Sequence, residues 1–152
     1  MIINDFKGEY GFLSNFYACP FEYKGIVYPH AEGAFQAQKC ATDEERMKYT
    51  RIKNPVIAKR TGKKEPNLPA DWDEKALDIM KDILKTKFAI PELKDKLLAT
   101  GDAELIEGNH WHDNRWGKCT CEKCKNKEAQ NLLGKILMEI RDDIKASEGV
   151  TV

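Results

Sequence analysis

The sequence contains no long apolar run, no secretory signal and no excess of charge of either sign. Its apolar runs fall short of the roughly 20 residues that a bilayer span needs, and Met1–Asp5 lacks the cationic start of a signal peptide. Lys and Arg together number 25, and Asp and Glu together also number 25. Because phosphate contacts dominate nucleic-acid affinity, a zero net charge argues against a general nucleic-acid binder. We expect a soluble cytoplasmic protein without membrane association, in which a local cluster of cations meets any anionic partner.

Cysteine is too scarce and too unevenly placed for a disulfide framework. The count of five is odd, and three of the five crowd together at Cys119, Cys121 and Cys124. Without a secretory signal, free thiols or a metal site are better interpretations than disulfides. The length of 152 residues, 41% of them hydrophobic, suits one domain with its own core.

Local patterns predict an α+β fold, mainly helical, as a single domain with a small antiparallel β-sheet near the N-terminus. Aromatic and β-branched runs at Phe21–Tyr23 and Ile26–Tyr28 flank Lys24-Gly25, which is a hairpin signal. Asp71 and Glu74 have the spacing of a capping box at the start of a helix. The predicted helices cover residues 31–41, 43–53, 55–62, 71–88, 91–100 and 129–144.

The later part of the chain adds a short predicted strand over Ala103–Glu107 and then a long irregular loop over Gly108–Lys125. A loop of that length in a compact domain suggests a functional role. We expect one domain over residues 1–146 and a flexible C-terminal tail over 147–152.

Four residues of the predicted helix 31–41 share one face, because Glu32, Phe35, Gln36 and Lys39 recur at i, i+3, i+4 and i+7. Small residues cover much of the remaining surface, so the helix can pack closely while it presents an acid, an amide and an amine together. Two interpretations stay open: a solvated face with a Glu–Lys pair, or a functional site.

Two further segments combine residue types that are unusual for loops. Residues 110–117 contain two Trp, two His and an Asp; the indoles either pin the loop to the body or contribute to function. Residues 6–17 alternate aromatic residues with Gly and small polar residues. That segment either packs into the core through tight turns, or stacks a planar ring and hydrogen-bonds its edge.

These segments together resemble the NADAR family of N-glycosidases. The motifs occur in family order over nearly the whole chain: Gly8 to Tyr17, Ala31 to Lys39, Asp71 to Asp73, Asp113 to Gly117 and Asn131 to Arg141. The resemblance implies an N-glycosidase fold of α+β type, without a catalytic metal or other cofactor. It also implies hydrolysis of a ribosyl C–N bond, either in phosphorylated early riboflavin-pathway intermediates or in guanine that carries ADP-ribose.

The resemblance also carries individual residues. Glu32 matches the family's catalytic glutamate, and Lys39 matches the lysine after the Gln-Ala-Gln run. Trp72, Asp113 and Asn131 match positions associated with the active site. The implied partner is a small phosphorylated ribosyl substrate, or ADP-ribosylated guanine in nucleic acid.

The chemistry of a ribosyl C–N bond is consistent with these residues. Cleavage builds positive charge on the ring oxygen and C1, which a nearby carboxylate stabilises while it activates water. Glu32 is the best candidate, with Asp113 either as a second carboxylate or as a ligand of ribose hydroxyls. Lys39 offers another route, because a desolvated amine can attack C1 of ring-opened ribose to form a Schiff base. Both mechanisms stay open, with Glu32, Lys39 and Asp113 as predicted catalytic residues.

The remaining candidates would contact substrate without reacting with it. Trp72 and Trp116 would stack a base or line the pocket, and the cations of residues 59–64 either bind a phosphate or belong to a solvated loop. The predicted substrate-binding residues are Tyr10, Ser14, Asn15, Phe16, Gln36, Trp72, Trp116, Gly117 and Asn131.

The sequence departs from the family pattern between Gly117 and Asn131, where a Cys-x-Cys-x-x-Cys spacing replaces a short Gly-rich link. This spacing resembles half of a zinc knuckle, which His110 or His112 would complete. Because a second Cys-x-x-Cys is missing, structural zinc and unbound thiols both stay open, and no metal ligand is included among the predicted site residues. The alternative function is a zinc-stabilised nucleic-acid-binding or interaction module without catalytic activity.

Overall fold

Residues 1–149 are described by the structure, a computed structural model, and they form an α+β fold in which helices dominate. The predicted fold class is therefore confirmed. The strands are β1 (Ile2–Ile3), β2 (Phe21–Tyr23), β3 (Ile26–Tyr28), β4 (Glu104–Leu105), β5 (Gly108–Asn109) and β6 (Lys118–Cys119). The α-helices are α1 (Ala31–Ala37), α2 (Asp43–Arg46), α3 (Pro55–Lys63), α4 (Trp72–Lys87), α5 (Pro91–Ala99) and α6 (Leu132–Gly149).

The described residues divide into two compact units. One unit is continuous and covers Asn15–Ile90; the other joins Met1–Ser14 to the described residues from Pro91 onward. In the continuous unit, β2 and β3 form the antiparallel hairpin that the sequence predicts. Lys24 and Gly25 both have positive φ, 50° and 87°, as a two-residue turn of this kind requires.

Two helices of the continuous unit are shorter than predicted. After Ala37 the chain tightens, because the backbone N–H groups of Gln38, Lys39 and Cys40 donate to carbonyls three residues back. The predicted helix over 43–53 is divided into α2 and a 3₁₀ helix over Met47–Thr50. In both places the residue pattern located the helix but did not predict where the α-helical hydrogen bonding ends.

The start of α4 lacks the predicted capping box. The side chain of Asp71 makes no capping hydrogen bond, and its Oδ2 pairs instead with Lys75 Nζ at 2.9 Å. The backbone of Asp71 is not extended (φ −104°, ψ 23°), whereas capping side chains normally reach back from an extended residue. Leu77, at a predicted core position, is 39% exposed, while Met80 is buried.

The discontinuous unit contains two parallel strand pairs that the sequence did not indicate. β1 pairs with β4, and β5 pairs with β6 inside the segment predicted as an irregular loop. Arg141 of α6 secures the chain before β4, since its guanidinium donates to Thr100 Oγ1 and to the Ala103 carbonyl, both at 2.8 Å. A two-residue strand is too short to show the alternation on which strand prediction depends.

The last helix is longer than predicted. α6 continues to Gly149, so the described part of the predicted tail, residues 147–149, is helical, and residues 150–152 lie outside the described residues. Within residues 1–149, none of the helices combines the length and the apolarity that crossing a membrane takes.

Candidate active site

The N-terminus of α1 is fixed by two other segments of the continuous unit. The ring of His30 caps the helix: Nδ1 accepts from the Gly33 N–H at 2.9 Å, so the Nε2–H donates to the Ile52 carbonyl at 3.0 Å. Burial lowers the pKa of His30, which keeps the ring neutral and able to accept. The backbone N–H of Glu32 donates to the Asn15 carbonyl at 3.0 Å. The first turn of α1, and Glu32 with it, is therefore held in place.

Glu32 lies on a buried face of α1. Glu32 is 6% exposed, and Gln36, one turn further on, is 5% exposed. Gln36 Nε2 donates to Glu32 Oε1 at 3.0 Å, the contact that i,i+4 spacing predicts. The interpretation of this stripe as a solvated face is wrong for Glu32. Carboxylates are rarely buried to this extent without a partner or a function.

A close approach of α3 shapes the other side of Gln36. A Cβ at Gly62 would overlap Gln36 Oε1 and press on the rest of that carboxamide. Gln36 Oε1 is buried and accepts no hydrogen bond from residues 1–149, although buried carbonyl oxygens normally have a donor. An open acceptor beside a buried carboxylate can receive a hydroxyl or N–H group of a bound molecule.

Lys39 completes the polar stripe of the first helix and is half-buried. Its ammonium donates to the Gly62 carbonyl at 3.2 Å and lies 5.7 Å from the centroid of the Trp72 ring, a cation–π distance. Burial lowers the pKa of Lys39, while Glu32 and Glu65 act against that shift. The amine therefore loses its proton more readily than a surface lysine does, although the two acids limit this effect, and a more easily deprotonated amine favours a chemical role.

Trp72 lies beside the polar face of α1 and is not exposed, and its contact with substrate stays a prediction. It is buried, and its ring centroid lies 5.2 Å from that of Phe35, with the planes inclined by 48°. Such tilted aromatic pairs are favourable beyond the area they bury. Phe35 shares its helix face with Glu32 and Lys39, so α1 and the start of α4 bring these predicted residues together.

The predicted cation cluster lies at the C-terminal end of α3. Lys59 is half-buried, and Arg60, Lys63 and Lys64 are exposed. Lys63 adds to the lowering of the Lys39 pKa that burial chiefly causes. Positive charge therefore lies close to the Lys39 amine, where a substrate phosphate would be attracted.

Asn15 and Phe16 belong to the same unit as Glu32. Asn15 Nδ2 lies 3.5 Å from Met80 Sδ, and its Oδ1 is a second buried acceptor without a donor among residues 1–149. Phe16 is half-buried. Their substrate contacts stay predictions, but the open acceptor of Asn15 is consistent with one.

Asp113 lies in the discontinuous unit, where it holds its own loop. Its Oδ1 accepts from the backbone N–H groups of Arg115 and Trp116 at 3.1 and 2.8 Å. The buried Asn109 closes the turn from the other side: Nδ2 donates to the Asp113 carbonyl at 2.8 Å, and Oδ1 accepts from the Asp113 N–H at 3.2 Å. One carboxylate oxygen of Asp113 is thus engaged in shaping the loop, and its catalytic role stays a prediction.

Gly117 and Asn131 join this loop to β4 and the segment after it. Asn131 Nδ2 donates to the Leu105 carbonyl at 2.9 Å, and Oδ1 accepts from the Glu107 N–H at 3.0 Å. A Cβ at the buried Gly117 would overlap the carbonyl and carboxylate of Glu107. Both residues therefore have a structural role. The predicted contact of each residue with substrate would be a second role in addition to it.

The remaining predicted residues of this unit are half-buried. They are Tyr10, Ser14 and Trp116. The Arg115 guanidinium lies 5.5 Å from the centroid of the Trp116 ring, so this indole has a cation on its face.

Three residues of these sites were missed from the sequence. His30 gave no signal because histidine is not among the common helix caps. Asn109 lies in a segment without periodicity. Gly62 was predicted to close the helix over 55–62 and is the last residue but one of α3, but its close approach to Gln36 was not predicted. A glycine inside a helix costs about 1 kcal/mol relative to alanine, which is the signal that another group approaches closely there.

The fold and the α1 face define a class: a small α+β protein in which a buried carboxylate of the first helix has an amide and an amine beside it. A model of the NADAR domain matches residues 3–145, and the chain belongs to the NADAR family. It is 35% identical over 138 residues to N-glycosidase YbiA of Escherichia coli, covering 90% of this chain and 82% of that one. The solution NMR structure of the same E. coli protein aligns with a TM-score of 0.80 and 32% identity, over 97% of this chain and 87% of that one.

Two other relatives carry informative names. A riboflavin biosynthesis protein of Vibrio vulnificus is 33% identical over 138 residues, which are 90% of this chain and 36% of that protein. An N-glycosidase of Nostoc punctiforme is 31% identical over 141 residues, covering 90% of this chain and 86% of that one. The predicted family is thereby confirmed.

Proposed function

We propose that this chain hydrolyses the bond between a ribose C1 and a nitrogen in a small phosphorylated substrate, with Glu32 as the catalytic carboxylate. The names of the E. coli and N. punctiforme relatives place the chain among hydrolases of N-glycosyl bonds. The observation that carries the assignment of Glu32 is its burial on α1 next to Gln36 and Lys39. A binding module without activity, the alternative function, has no need of a buried carboxylate.

Glu32 has the properties that cleavage of a ribosyl C–N bond requires. As the bond breaks, its electron pair leaves with the nitrogen, and positive charge develops on C1 and the ring oxygen. A carboxylate fixed in a site with little water stabilises that charge more strongly than it would in bulk solvent. Glu32 accepts a proton from a water molecule, and the hydroxyl of that water adds to C1. In the net reaction the proton is then transferred to the nitrogen that leaves.

Gln36 would orient both the carboxylate and the substrate. Its Nε2 donates to Glu32 Oε1 at 3.0 Å, which fixes the orientation of the carboxylate. Its buried Oε1 has no donor among residues 1–149. A ribose hydroxyl that donates to this oxygen would place C1 beside Glu32, which is a positioning effect.

Lys39 supports a second mechanism for the same reaction. Burial lowers the pKa of Lys39 against the influence of Glu32 and Glu65, so the amine is closer to the neutral form that attacks a carbon. In this route Nζ adds to C1 of the ring-opened sugar, the nitrogen base leaves, and water later hydrolyses the Schiff base.

For the substrate, we propose the phosphorylated early intermediates of riboflavin synthesis. Support comes from the name of the V. vulnificus relative and from Lys63 of α3, which adds positive charge close to Lys39. ADP-ribosylated guanine contains the same type of bond. A panel assay with both substrates separates these possibilities, and hydrolysis of the guanine adduct alone would overturn the choice of substrate.

Replacement of the proposed carboxylate tests the function directly. Glu32→Gln keeps the size of the side chain and removes its charge, so we expect kcat for base release to fall at least about 100-fold, with the circular dichroism spectrum unchanged. Glu22→Gln, an exposed acid on β2 of the same unit, is the matched control and should keep full activity. Undiminished activity of Glu32→Gln would refute the assignment.

Borohydride reduction during turnover distinguishes the two mechanisms. A Schiff base on Lys39 would give a covalent adduct at that residue, and the adduct would be lost in Lys39→Arg, which keeps the charge. Direct attack by water predicts no adduct and partial activity in the same variant.

A further inference from the structure

Four side chains of the long loop converge on one point in the discontinuous unit. They are His112 and the three clustered cysteines, whose ligand atoms all lie within 4.8 Å of one another. His112 Nδ1 lies 3.3 Å from Cys124 Sγ, 3.4 Å from Cys121 Sγ and 3.9 Å from Cys119 Sγ. His110 does not join them, because its Nδ1 lies 3.3 Å from Thr120 Oγ1.

Hydrogen bonding cannot account for this arrangement. A ring nitrogen of histidine offers either one proton or one lone pair, yet three sulfur atoms surround the same Nδ1. At most one of the three contacts can therefore be a hydrogen bond, and the thiol is a weak partner in it. A metal ion at the centre of the four atoms would satisfy all of them at once.

The separations fit tetrahedral zinc. With Zn–N distances of about 2.0–2.1 Å and Zn–S distances of about 2.3 Å, a tetrahedron places the nitrogen about 3.6 Å from each sulfur. The observed separations of 3.3, 3.4 and 3.9 Å scatter around this value. Three thiolates and one imidazole are a ligand set of structural zinc sites.

The local backbone brings the ligands together from two stretches of chain. Cys119 lies in β6, opposite Asn109 of β5, and His112 follows β5 in a left-handed conformation with φ of 68°. Cys121 and Cys124 form a tight turn, since the Cys124 N–H donates to the Cys121 carbonyl at 3.0 Å. Four lysines and one glutamate occupy residues 118–127, and this positive charge offsets the three thiolates that a zinc ion would hold.

We propose that His112, Cys119, Cys121 and Cys124 bind one Zn²⁺ ion through Nδ1 and three thiolates. The ion fastens β6 and the following turn to the segment after β5, and so encloses residues 113–117 between two of its ligands. The three thiol protons pass to solvent as the ion binds. This site is structural, because four protein ligands leave no open position for substrate. The inference stands independently of the proposed reaction.

Metal content and cobalt spectroscopy test the site. Protein purified under reducing conditions without a chelator should contain about one zinc ion per chain by elemental analysis. Replacement of zinc by Co²⁺ should produce thiolate-to-metal charge-transfer absorption together with the ligand-field bands of tetrahedral cobalt. Absence of bound zinc after incubation of the reduced protein with zinc chloride would overturn the proposal.

Two neighbouring histidines provide a matched pair of variants. His112→Ala removes a ligand, so we expect zinc affinity to fall by more than the roughly 10–100-fold that loss of an outer-shell partner costs. His110→Ala should leave zinc affinity unchanged. Equal zinc affinity of the two variants would exclude His112 as a ligand.

Thiol alkylation of the unaltered protein covers the case in which a ligand variant fails to fold. Zinc should protect Cys119, Cys121 and Cys124 from iodoacetamide, and a chelator should restore their labelling. Cys19 and Cys40, which lie in the other unit, should react to the same extent with and without zinc. Full labelling of the three clustered cysteines in the presence of zinc would contradict the site.

Discussion

Lys87, the last residue of α4, is a lysine whose side chain is completely buried. Its Nζ lies 5.7 Å from the centroid of the Tyr17 ring and 5.1 Å from that of Phe88. Burial lowers the pKa of Lys87 from 10.5 to about 8, while Cys19 acts in the opposite direction. Cation–π contacts offset only part of the cost of removing an ammonium group from water, so stability must depend on the protonation of this residue.

We expect Lys87 to make the protein more stable as pH rises from about 8 to 10.5. In this window the unfolded chain still binds the Lys87 proton and the folded chain has released it, so the free energy of unfolding increases with pH. Below pH 8 both states bind the proton and the contribution is constant. A shift from 10.5 to about 8 corresponds to at most about 3 kcal/mol. Urea unfolding between pH 7 and 10 measures the free energy of unfolding of both proteins. The value for the wild type should increase relative to that of Lys87→Met by up to this amount as pH rises.

Cysteine and tyrosine residues titrate in the same range, so only the difference between the two proteins is informative. Cys19 faces Lys87, and the pKa of its thiol is raised by burial and lowered by Lys87. The comparison therefore needs repetition in a Cys19→Ser background. Stability curves that stay parallel across the whole range would contradict the prediction.

Individual residues were predictable from the sequence when their partners lie within one helical turn. The Glu32–Gln36 pair, with 3.0 Å between Gln36 Nε2 and Glu32 Oε1, follows from i,i+4 spacing alone. Asn131 was predicted to bind substrate. Its spacing could not reveal that its side-chain amide makes hydrogen bonds with the backbone of residues 105 and 107. Partners that lie 24 or more residues away depend on the fold as a whole.

At the scale of elements, α1 packs against α3 and α4, and this packing buries much of the polar face that forms the candidate site. The hairpin and the positions of the helices were predictable because each depends on local periodicity and turn residues. The pairings β1 with β4 and β5 with β6 were not, because a strand of two residues carries no period, and the partners β1 and β4 are also about one hundred residues apart. The contact of Gly62 with Gln36 belongs to the same group of non-local features.

We expect Gly62→Ala to reduce activity while leaving stability nearly unchanged. Alanine inside a helix is favoured over glycine by about 1 kcal/mol, which offsets the cost of moving the flexible Gln36 side chain. The new methyl group displaces the Gln36 carboxamide from Glu32, and displacement of a positioning group by about 1 Å can cost up to about 100-fold in rate. Measurement of kcat and of the thermal midpoint Tm separates the two effects.

Two further variants control this experiment. Thr61→Ala, on the adjacent position of the same helix, should leave kcat unchanged. Gln36→Ala should lower kcat, and adding Gly62→Ala to it should have little further effect, because both substitutions act through one side chain. Additive losses in the double variant would show that Gly62 acts in another way.

At the scale of the whole molecule, the chain ends contribute to one unit. Met1–Ser14 joins the described residues from Pro91 onward, and β1 pairs with β4 about one hundred residues later. Composition and the order of motifs were sufficient to predict the family and the fold class, since both extend over nearly the whole chain. The division into units was not predictable, because one unit joins segments from the two ends of the chain and no local pattern indicates that association.

The two isoleucines of β1 test whether this strand stabilises the discontinuous unit. Ile3 is 3% exposed and Ile2 is 59% exposed, because successive side chains of a strand point to opposite faces. Truncation of a buried isoleucine to alanine costs about 2–5 kcal/mol, whereas an exposed substitution changes stability by no more than about 0.5 kcal/mol. We therefore expect Ile3→Ala to lower Tm by about 2–4 °C for each kcal/mol lost, and Ile2→Ala to leave Tm nearly unchanged.

Hydrogen exchange connects this loss of stability to the strand pair itself. The N–H groups of Glu104 and Ile106 donate to the carbonyls of Met1 and Ile3 at 3.0 and 2.9 Å. Weaker docking of β1 opens these two bonds more often, so Ile3→Ala should accelerate exchange at both amides more than elsewhere in the unit. Equal effects of Ile3→Ala and Ile2→Ala on Tm and on these amides would contradict the prediction that the buried side chain of Ile3 docks β1, since the two variants remove the same atoms from opposite faces of one strand.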